Sequence, residues 1–430
     1  MKILLEKDTT PAELRRLSES GFLRVEKTVH TILDNVRERG DAALFEYCEK
    51  FDHAKLRSLF VTPEEIESGV SAVDREFLSI LSDAAENIRV FHSRQVQHGF
   101  EISDRPGITL GQRILPLDCV GLYIPGGTAS YPSTVLMNAI PAKLAGVPEL
   151  ILVTPPKPDG SVSPAILAAA HVAGVDRIFK VGGAQAIGAL AFGTQSIPKV
   201  DKITGPGNVY VAAAKRQVYG TVDIDMVAGP SEILIIADES ANPAFIAADI
   251  LAQAEHDPMA ASFLLTTSIS IAAETIREVE RQLPLLSRRD TAEISIRDNG
   301  RIVVLNSLSE AVVWSNKIAP EHLELCVADP FALLSGIRHA GSVFLGSYTP
   351  EALGDYFAGP NHTLPTCGTA RFASPLSVDD FIKKSSYVYY TREALAEVSA
   401  KVQAFARCEG LDAHANSVAL RTGTGEDQYA

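Results

Sequence analysis

The first hundred residues carry their apolar side chains at helical spacing. Residues 24–40 repeat such positions three and four apart, and Gly40 is a natural stop. Thr10-Pro11 and Thr62-Pro63 each set a capping side chain before a proline suited to the first helical turn, and Glu65 completes a capping box with Thr62. Residues 74–97 read as one longer helix. From about Leu115 the pattern changes. Short β-rich runs at 119–124, 150–154, 177–182, 200–204 and 233–238 alternate with helical stretches. A second series follows at 262–267, 301–306 and 341–347. Strands that alternate with helices predict βαβ units and parallel sheets.

The expected fold class is α/β: two incomplete Rossmann-like, doubly wound modules with N-terminal helices and a small C-terminal dimerisation tail. The expected division is an N-terminal segment over 1–20 and a nucleotide-binding module over 116–231. A second α/β module is made of 21–115 with 232–375, so that the N-terminal helices complete it. The tail runs over 376–430. In it 386–390 read as a strand, followed by an amphipathic helix with Thr391 as cap and Gly410 as stop, then a short helix. A tail this small buries no core of its own and must dock on the main body or on a second subunit.

Composition narrows the function. With 39 basic and 53 acidic residues the net charge is −14, which repels nucleic acid and anionic lipid and favours small-molecule chemistry. Five cysteines, an odd number without a CxxC, argue against a disulfide framework and for a reducing compartment. Charges interrupt the N-terminal apolar run too early for a signal peptide, and no apolar stretch reaches the about 20 residues of a membrane span. A cytoplasmic protein is expected. Cys119 and Cys326 read as packing residues, and Ser231 lies outside any GxSxG nucleophile pattern.

Candidate chemistry lies in turns. Gly121 to Gly127, Gly182-Gly183-Ala-Gln185 and Gly205-Pro-Gly-Asn208 end three of these strands, where open α/β sheets bind ligands. None matches GxGxxG, so the residues alone offer a nucleotide or phosphate site, with tight βα turns as the plain alternative. Gln253 and His256 stand three apart on a helix that Pro258 ends. Glu321 and His322 follow Pro320 at a helix start and could divide acid–base work, with a dipole-favoured Glu beside a surface His as the plain alternative. Asp355 lies in a constrained loop seven residues before His362. Glu409, Asp412 and His414 cluster in the tail. Two histidines, an aspartate and an amide make a mixed N/O zinc set, but positions spread from 253 to 414 do not show by spacing that they converge.

Taken in order, GLYIPGG, GGAQAI, DKITGPGN, VAGPSEILIIAD, LAQAEHD, APEHLE, GDYFAGPNHTLPT and EGLDAHANSV resemble histidinol dehydrogenases along essentially the whole chain. The resemblance implies zinc- and NAD-dependent oxidation of L-histidinol to L-histidine, with two hydride transfers and a bound aldehyde between them. It implies Gln253, His256, Asp355 and His414 as zinc ligands, which also touch substrate, and Glu321 and His322 as the acid–base pair, with His322 against substrate. Ser231, His362 and Glu409 become substrate contacts, and Tyr123, Gln185 and Asn208 NAD contacts. It further implies a homodimer in which the tail of one subunit brings Glu409 and His414 to the other. The rival expectations are a relative acting on another small polar alcohol such as a sulfonated diol, a catalytically dead NAD- or metal-binding relative, and a metal-dependent hydrolase.

Overall fold

The computed structural model describes residues 1–14, 19–126 and 130–423. Gly127, the last residue of the first glycine turn, lies outside them. In chain order the strands are β1 (Lys2–Leu5), β2 (Phe100–Ile102), β3 (Ile108–Pro116), β4 (Cys119–Tyr123), β5 (Glu149–Thr154), β6 (Arg177–Lys180), β7 (Lys202–Thr204), β8 (Asp223–Ile224), β9 (Glu232–Ala237), β10 (Ala261–Thr266), β11 (Arg301–Val304), β12 (His322–Cys326), β13 (Ser342–Leu345) and β14 (Ile382–Tyr390).

The two predicted parallel sheets are present. One has the order β6-β5-β4-β7-β8, the other β1-β11-β10-β9-β12-β13. Their central strands are buried on both faces, as βαβ crossovers require: every residue of β9 and of β10 is buried. The two sheets and the N-terminal helices fall in one compact unit, 1–96 with 117–381.

Two expectations about the N-terminal region are corrected. Lys2–Leu5 is a strand, paired in parallel with β11 at the edge of the second sheet. Leu14, on the short helix Pro11–Leu14, packs with the second sheet, but the helices between Glu19 and Ser93 cover the first sheet, not the second. Val29, Val36 and Leu44 pack with Tyr123, Ile151 and Val153, while Leu81, Ala84 and Ile88 pack with Val120, Leu122 and Leu152. Each such aliphatic side chain withdrawn from water contributes about 1.5–3 kcal/mol, which anchors the helices there. The helix starts are as predicted: Thr62 accepts from the Glu65 N–H while Glu65 accepts from the Thr62 N–H. Gly40 ends its helix with φ +56.

The second compact unit comprises 97–116 and 382–430. Its sheet has the order β14-β3-β2, with β14 antiparallel to β3 from Ile382 opposite Pro116 to Tyr390 opposite Ile108. The predicted tail strand is thus real, and its partner is a segment that the sequence did not mark as β. Thr391 caps the helix Arg392–Cys408 by accepting from the Ala394 N–H, and the helix Asp412–Thr422 follows Gly410. Among the described residues no helix is long and apolar enough to cross a membrane.

One buried ion pair fixes the first sheet's ligand edge. Lys215 and Asp225, with side-chain exposures of 2% and 1%, pair directly. Lys215 also donates to the Gly205 carbonyl at 2.9 Å, and Asp225 accepts from the Gly205 N–H at 2.8 Å. Gly205 is thereby gripped from both sides. Its φ is +113, and a Cβ there would stand 2.0 Å from the Tyr123 carbonyl oxygen, so only glycine fits. Asp225→Asn strands a buried ammonium without its counter-charge. It should lower the unfolding free energy measured in urea by about 3–5 kcal/mol; a loss below about 1 kcal/mol would contradict this role.

Candidate active site

The carboxyl ends of β4, β5 and β6, with residues of two packed helices, enclose a cavity of about 810 Å³. Tyr123, Gln185 and Asn208, separated by up to 85 positions in sequence (208 − 123), all line it. Their local roles explain their fixed places. Tyr123 ends β4, is 4% exposed, and its hydroxyl accepts from the Gly183 N–H at 3.1 Å. Gln185 sits in the first turn of the helix Gly183–Phe192 and is 2% exposed. Asn208 caps the helix Val209–Val218, its carbonyl accepting from the Tyr210 and Val211 N–H groups. A cavity at the carboxyl ends of parallel strands, walled by helix starts, suits a dinucleotide.

A second constellation forms where β9, β12 and the helix Glu351–Tyr356 meet. Glu321 and His322 are placed by a strand, not by the helix start expected from Pro320. The preceding helix Leu308–Ile318 ends at Ala319 in the left-handed conformation, and the chain then enters β12 between β9 and β13. His322 lies opposite Ile233, so Glu321 comes level with Glu232. Both side chains then use the Glu232 main chain. Glu321 Oε2 accepts from the Glu232 N–H at 2.9 Å, and His322 Nδ1 lies 3.3 Å from the Glu232 carbonyl oxygen. An imidazole that donates from Nδ1 keeps Nε2 free to take a proton. Nε2 is buried, without a hydrogen-bond partner, and 3.8 Å from Asp355 Oδ1.

Asp355 also departs from expectation. It lies on the short helix Glu351–Tyr356 instead of in a loop. One turn earlier on the same face is Glu351, which the sequence reading missed. It is 2% exposed, and its Oε1 is 3.6 Å from His322 Nδ1. Its signal was the four-residue spacing to Asp355, but an acidic residue in a first helical turn ordinarily reads as dipole compensation. His362 follows. Its Nδ1 lies 2.9 Å from the Asp355 carbonyl oxygen and its Nε2 3.4 Å from Thr134 Oγ1. Thr134 belongs to the helix Pro132–Leu144 that follows β4, so the two constellations are physically linked.

The electrostatics follow from burial and crowding. Burial pushes the Glu321 carboxyl up to about 7 and that of Glu351 up to about 8. Burial also opposes charge on His322, but Glu351, Glu321 and Asp355 prevail and hold it well above its ordinary value. Asp355 is held low despite burial because the adjacent His322 imidazole favours its charged form. Burial depresses His256 and His362, keeping both imidazoles neutral and available as donors of electron pairs.

Donor atoms of His256, Glu351 and Asp355 lie within 4.8 Å of one another. Gln253 ends the helix Pro243–Ala254, with His256 just beyond it. Its side chain is fully buried, yet neither its oxygen nor its nitrogen has a hydrogen-bond partner. A buried amide left unsatisfied costs about 1–3 kcal/mol unless something binds it. Imidazole, carboxylate and amide oxygen together fit a divalent cation of the zinc type. Ser231 immediately precedes β9 and is half-buried. Glu409 and His414 are both exposed and belong to the second compact unit, at the end of one helix and in the first turn of the next.

The chain is similar to known proteins along nearly its whole length. The sequence profile described as histidinol dehydrogenase matches residues 15–422. A histidinol dehydrogenase of Clostridium acetobutylicum is 57% identical over 395 residues, covering 92% of each chain. One of Geobacillus kaustophilus is 54% identical, covering 96% of this chain and 97% of its own. The crystal structure of histidinol dehydrogenase from Elizabethkingia anophelis superimposes with a TM-score of 0.89 at 42% identity, covering 93% of this chain and 92% of that one. With that match along both modules and through the constellation around His322, the chain belongs to the histidinol dehydrogenase family and is an oxidoreductase of histidine biosynthesis.

Proposed function

We propose that this chain carries out the four-electron oxidation of L-histidinol to L-histidine through bound L-histidinaldehyde, using NAD and a zinc ion. The observation that carries the reading is the convergence of donor atoms from His256, Glu351 and Asp355, together with the orphaned, fully buried amide of Gln253 three residues before His256. We assign zinc to Gln253, His256, Asp355 and the partner subunit's His414. There it supplies a positive template that grips the substrate's amino and imidazole nitrogens. NAD, which would accept the hydride of each step, is assigned to the cavity lined by Tyr123, Gln185 and Asn208.

The proton chemistry belongs to the protein. His322 Nε2 takes the hydroxyl proton of the alcohol as the first hydride departs. The three surrounding carboxyl groups favour charged His322, so its basic form depends on positive charge from metal and substrate amine to offset them. Glu321 then removes a proton from water as it adds to the aldehyde, and His322 takes the proton of the resulting hydrate in the second oxidation. Ser231, His362 and the partner's Glu409 hold the polar ends of the substrate.

A homodimer is part of the proposal. The second unit leaves Phe405 71%, Val388 70% and Leu420 59% exposed, on the unit that also carries Glu409 and His414. Apolar groups gathered on one small unit suit burial against another subunit. Cys48, Cys119, Cys326 and Cys408 are not in disulfides, in keeping with a cytoplasmic enzyme.

Two experiments test these assignments. Glu321→Gln should leave oxidation of histidinol to the aldehyde within about threefold of normal while slowing oxidation of added histidinaldehyde by about 10²–10⁴-fold. In the unaltered enzyme the aldehyde step should fall as pH drops below about 7, because protonated Glu321 cannot accept a proton from water. Equal loss in both steps, or a flat profile, would remove Glu321 as the water activator. His414→Ala and His256→Ala should each lose bound zinc and activity. Mixed and reassociated, the two inactive proteins should recover activity, since one intact site forms per heterodimer. Full zinc in either variant, or a dead mixture, would contradict a shared metal site.

A further inference from the structure

The first sheet has a gap in its chemistry. In dinucleotide-binding sheets an acidic residue beyond the strand next to the first one accepts hydrogen bonds from the adenosine ribose. Here that strand is β5, and the residues after it are Pro155, Pro156 and Lys157, which line the cavity without a carboxylate. The cavity nevertheless contains an acid from elsewhere. Asp52 follows the helix Asp41–Phe51, which packs on the helix that starts at Gly183.

Asp52 is held in place by its main chain, with φ −99, ψ −5 and an N–H that donates to the Cys48 carbonyl at 3.0 Å. Its Oδ2 is buried and has no hydrogen-bond partner. Burial pushes its carboxyl up to about 6, with nearby His53 opposing. The neighbouring Phe51 also lines the cavity and is 47% exposed, offering an apolar ring of the kind a purine covers. Asp52 lines a cavity of nucleotide size and has a carboxylate oxygen lacking donors, so its carboxylate has acceptor capacity that hydroxyl groups bound in the cavity would complete.

We propose that Asp52 is the coenzyme-selecting residue, accepting hydrogen bonds from the adenosine ribose hydroxyls and rejecting a 2′-phosphate. This rests on NAD as the oxidant in the cavity beside Tyr123. A ribose diol donates two hydrogen bonds to a carboxylate. A 2′-phosphate brings negative charge against it and leaves the buried oxygen unsatisfied, so discrimination comes from attraction for one coenzyme and repulsion of the other. Lys157 lines the same cavity and has the opposite preference; were it the group facing the ribose, the 2′-phosphorylated coenzyme would bind better.

The test is steady-state oxidation of histidinol by the full-length protein with NAD or NADP, for the unaltered chain, Asp52→Asn and Asp52→Ser. The unaltered enzyme should favour NAD in kcat/KM. Both variants should raise KM for NAD and shrink the NAD-to-NADP ratio by at least about tenfold. The KM for histidinol should stay within about twofold of normal, a split that a general loss of structure would not give. Binding of ADP-ribose and its 2′-phosphate, measured calorimetrically on proteins with matched thermal melts, should show the same change in ratio. An unaltered ratio in both variants, or an original preference for NADP, overturns the role of Asp52 and leaves the oxidation reading standing. Reduction of neither coenzyme by the unaltered enzyme overturns the oxidation reading, and this inference with it.

Discussion

The site depends on the parallel pairing of β9 with β12. Glu321 and His322 are neighbours in sequence, and in an extended strand neighbours point to opposite faces. They act together here because both reach back to the main chain of one residue, Glu232 on the adjacent strand. The N–H of Glu232 engages the Glu321 carboxylate, and its carbonyl receives His322 Nδ1. A one-residue slip of β12 would turn both side chains away from it. β12 is held on its other edge too, where the Ser342 N–H donates to the Glu321 carbonyl at 2.9 Å. The groups expected to move protons are therefore borne on buried interior strand, whose register the sheet fixes.

A comparable constraint shapes the coenzyme side. The Lys215–Asp225 pair clamps Gly205 against the end of β4, and this sets the wall on which Tyr123 and Asn208 stand. The contact between Thr134 and His362 then ties the helix after β4 to the metal-side constellation. Hydride transfer requires coenzyme and substrate to be held in one geometry, and a stiff connection between the modules supplies that economically. The carboxylates behind the site contribute similarly. Glu324 is buried, and its Oε1 accepts from the Glu351 N–H at 2.9 Å, which fixes the start of the helix bearing Glu351 and Asp355.

Much of the architecture was legible in the chain. Alternation of apolar β runs with helical stretches gave both parallel sheets, because buried parallel strands are almost wholly apolar. Thr62 with Glu65 and Thr391 marked helix starts, because capping is local chemistry. What failed was non-local. The helices around Val29 and Ile88 have clear apolar faces, but a face does not say which sheet it covers. Pro320 before Glu321 mimicked a helix start, and pairing to β9 and β13 overrode it. Ile108–Pro116 escaped notice because its partner β14 lies near the far end of the chain, and Phe100–Ile102 pairs only with Ile108–Pro116. In the site, Gln253, His256 and Asp355 carried suitable chemistry, but only the topology brings two of them to Glu351. Asp52 and Glu351 stand at helix ends, where acids are ordinary; one buried carboxylate oxygen of each lacks a hydrogen-bond partner, and that distinguishes them.

The central claim is that one site, with its proton groups fixed by the main chain of Glu232, completes both oxidations. The direct measurement is the stoichiometry of NADH formed per L-histidinol consumed, at limiting histidinol and excess NAD. Two NADH for each histidinol, with L-histidine as product and no free aldehyde trapped by added semicarbazide, is the expected result. One NADH with aldehyde released into solution, or no NADH at all, would contradict the account.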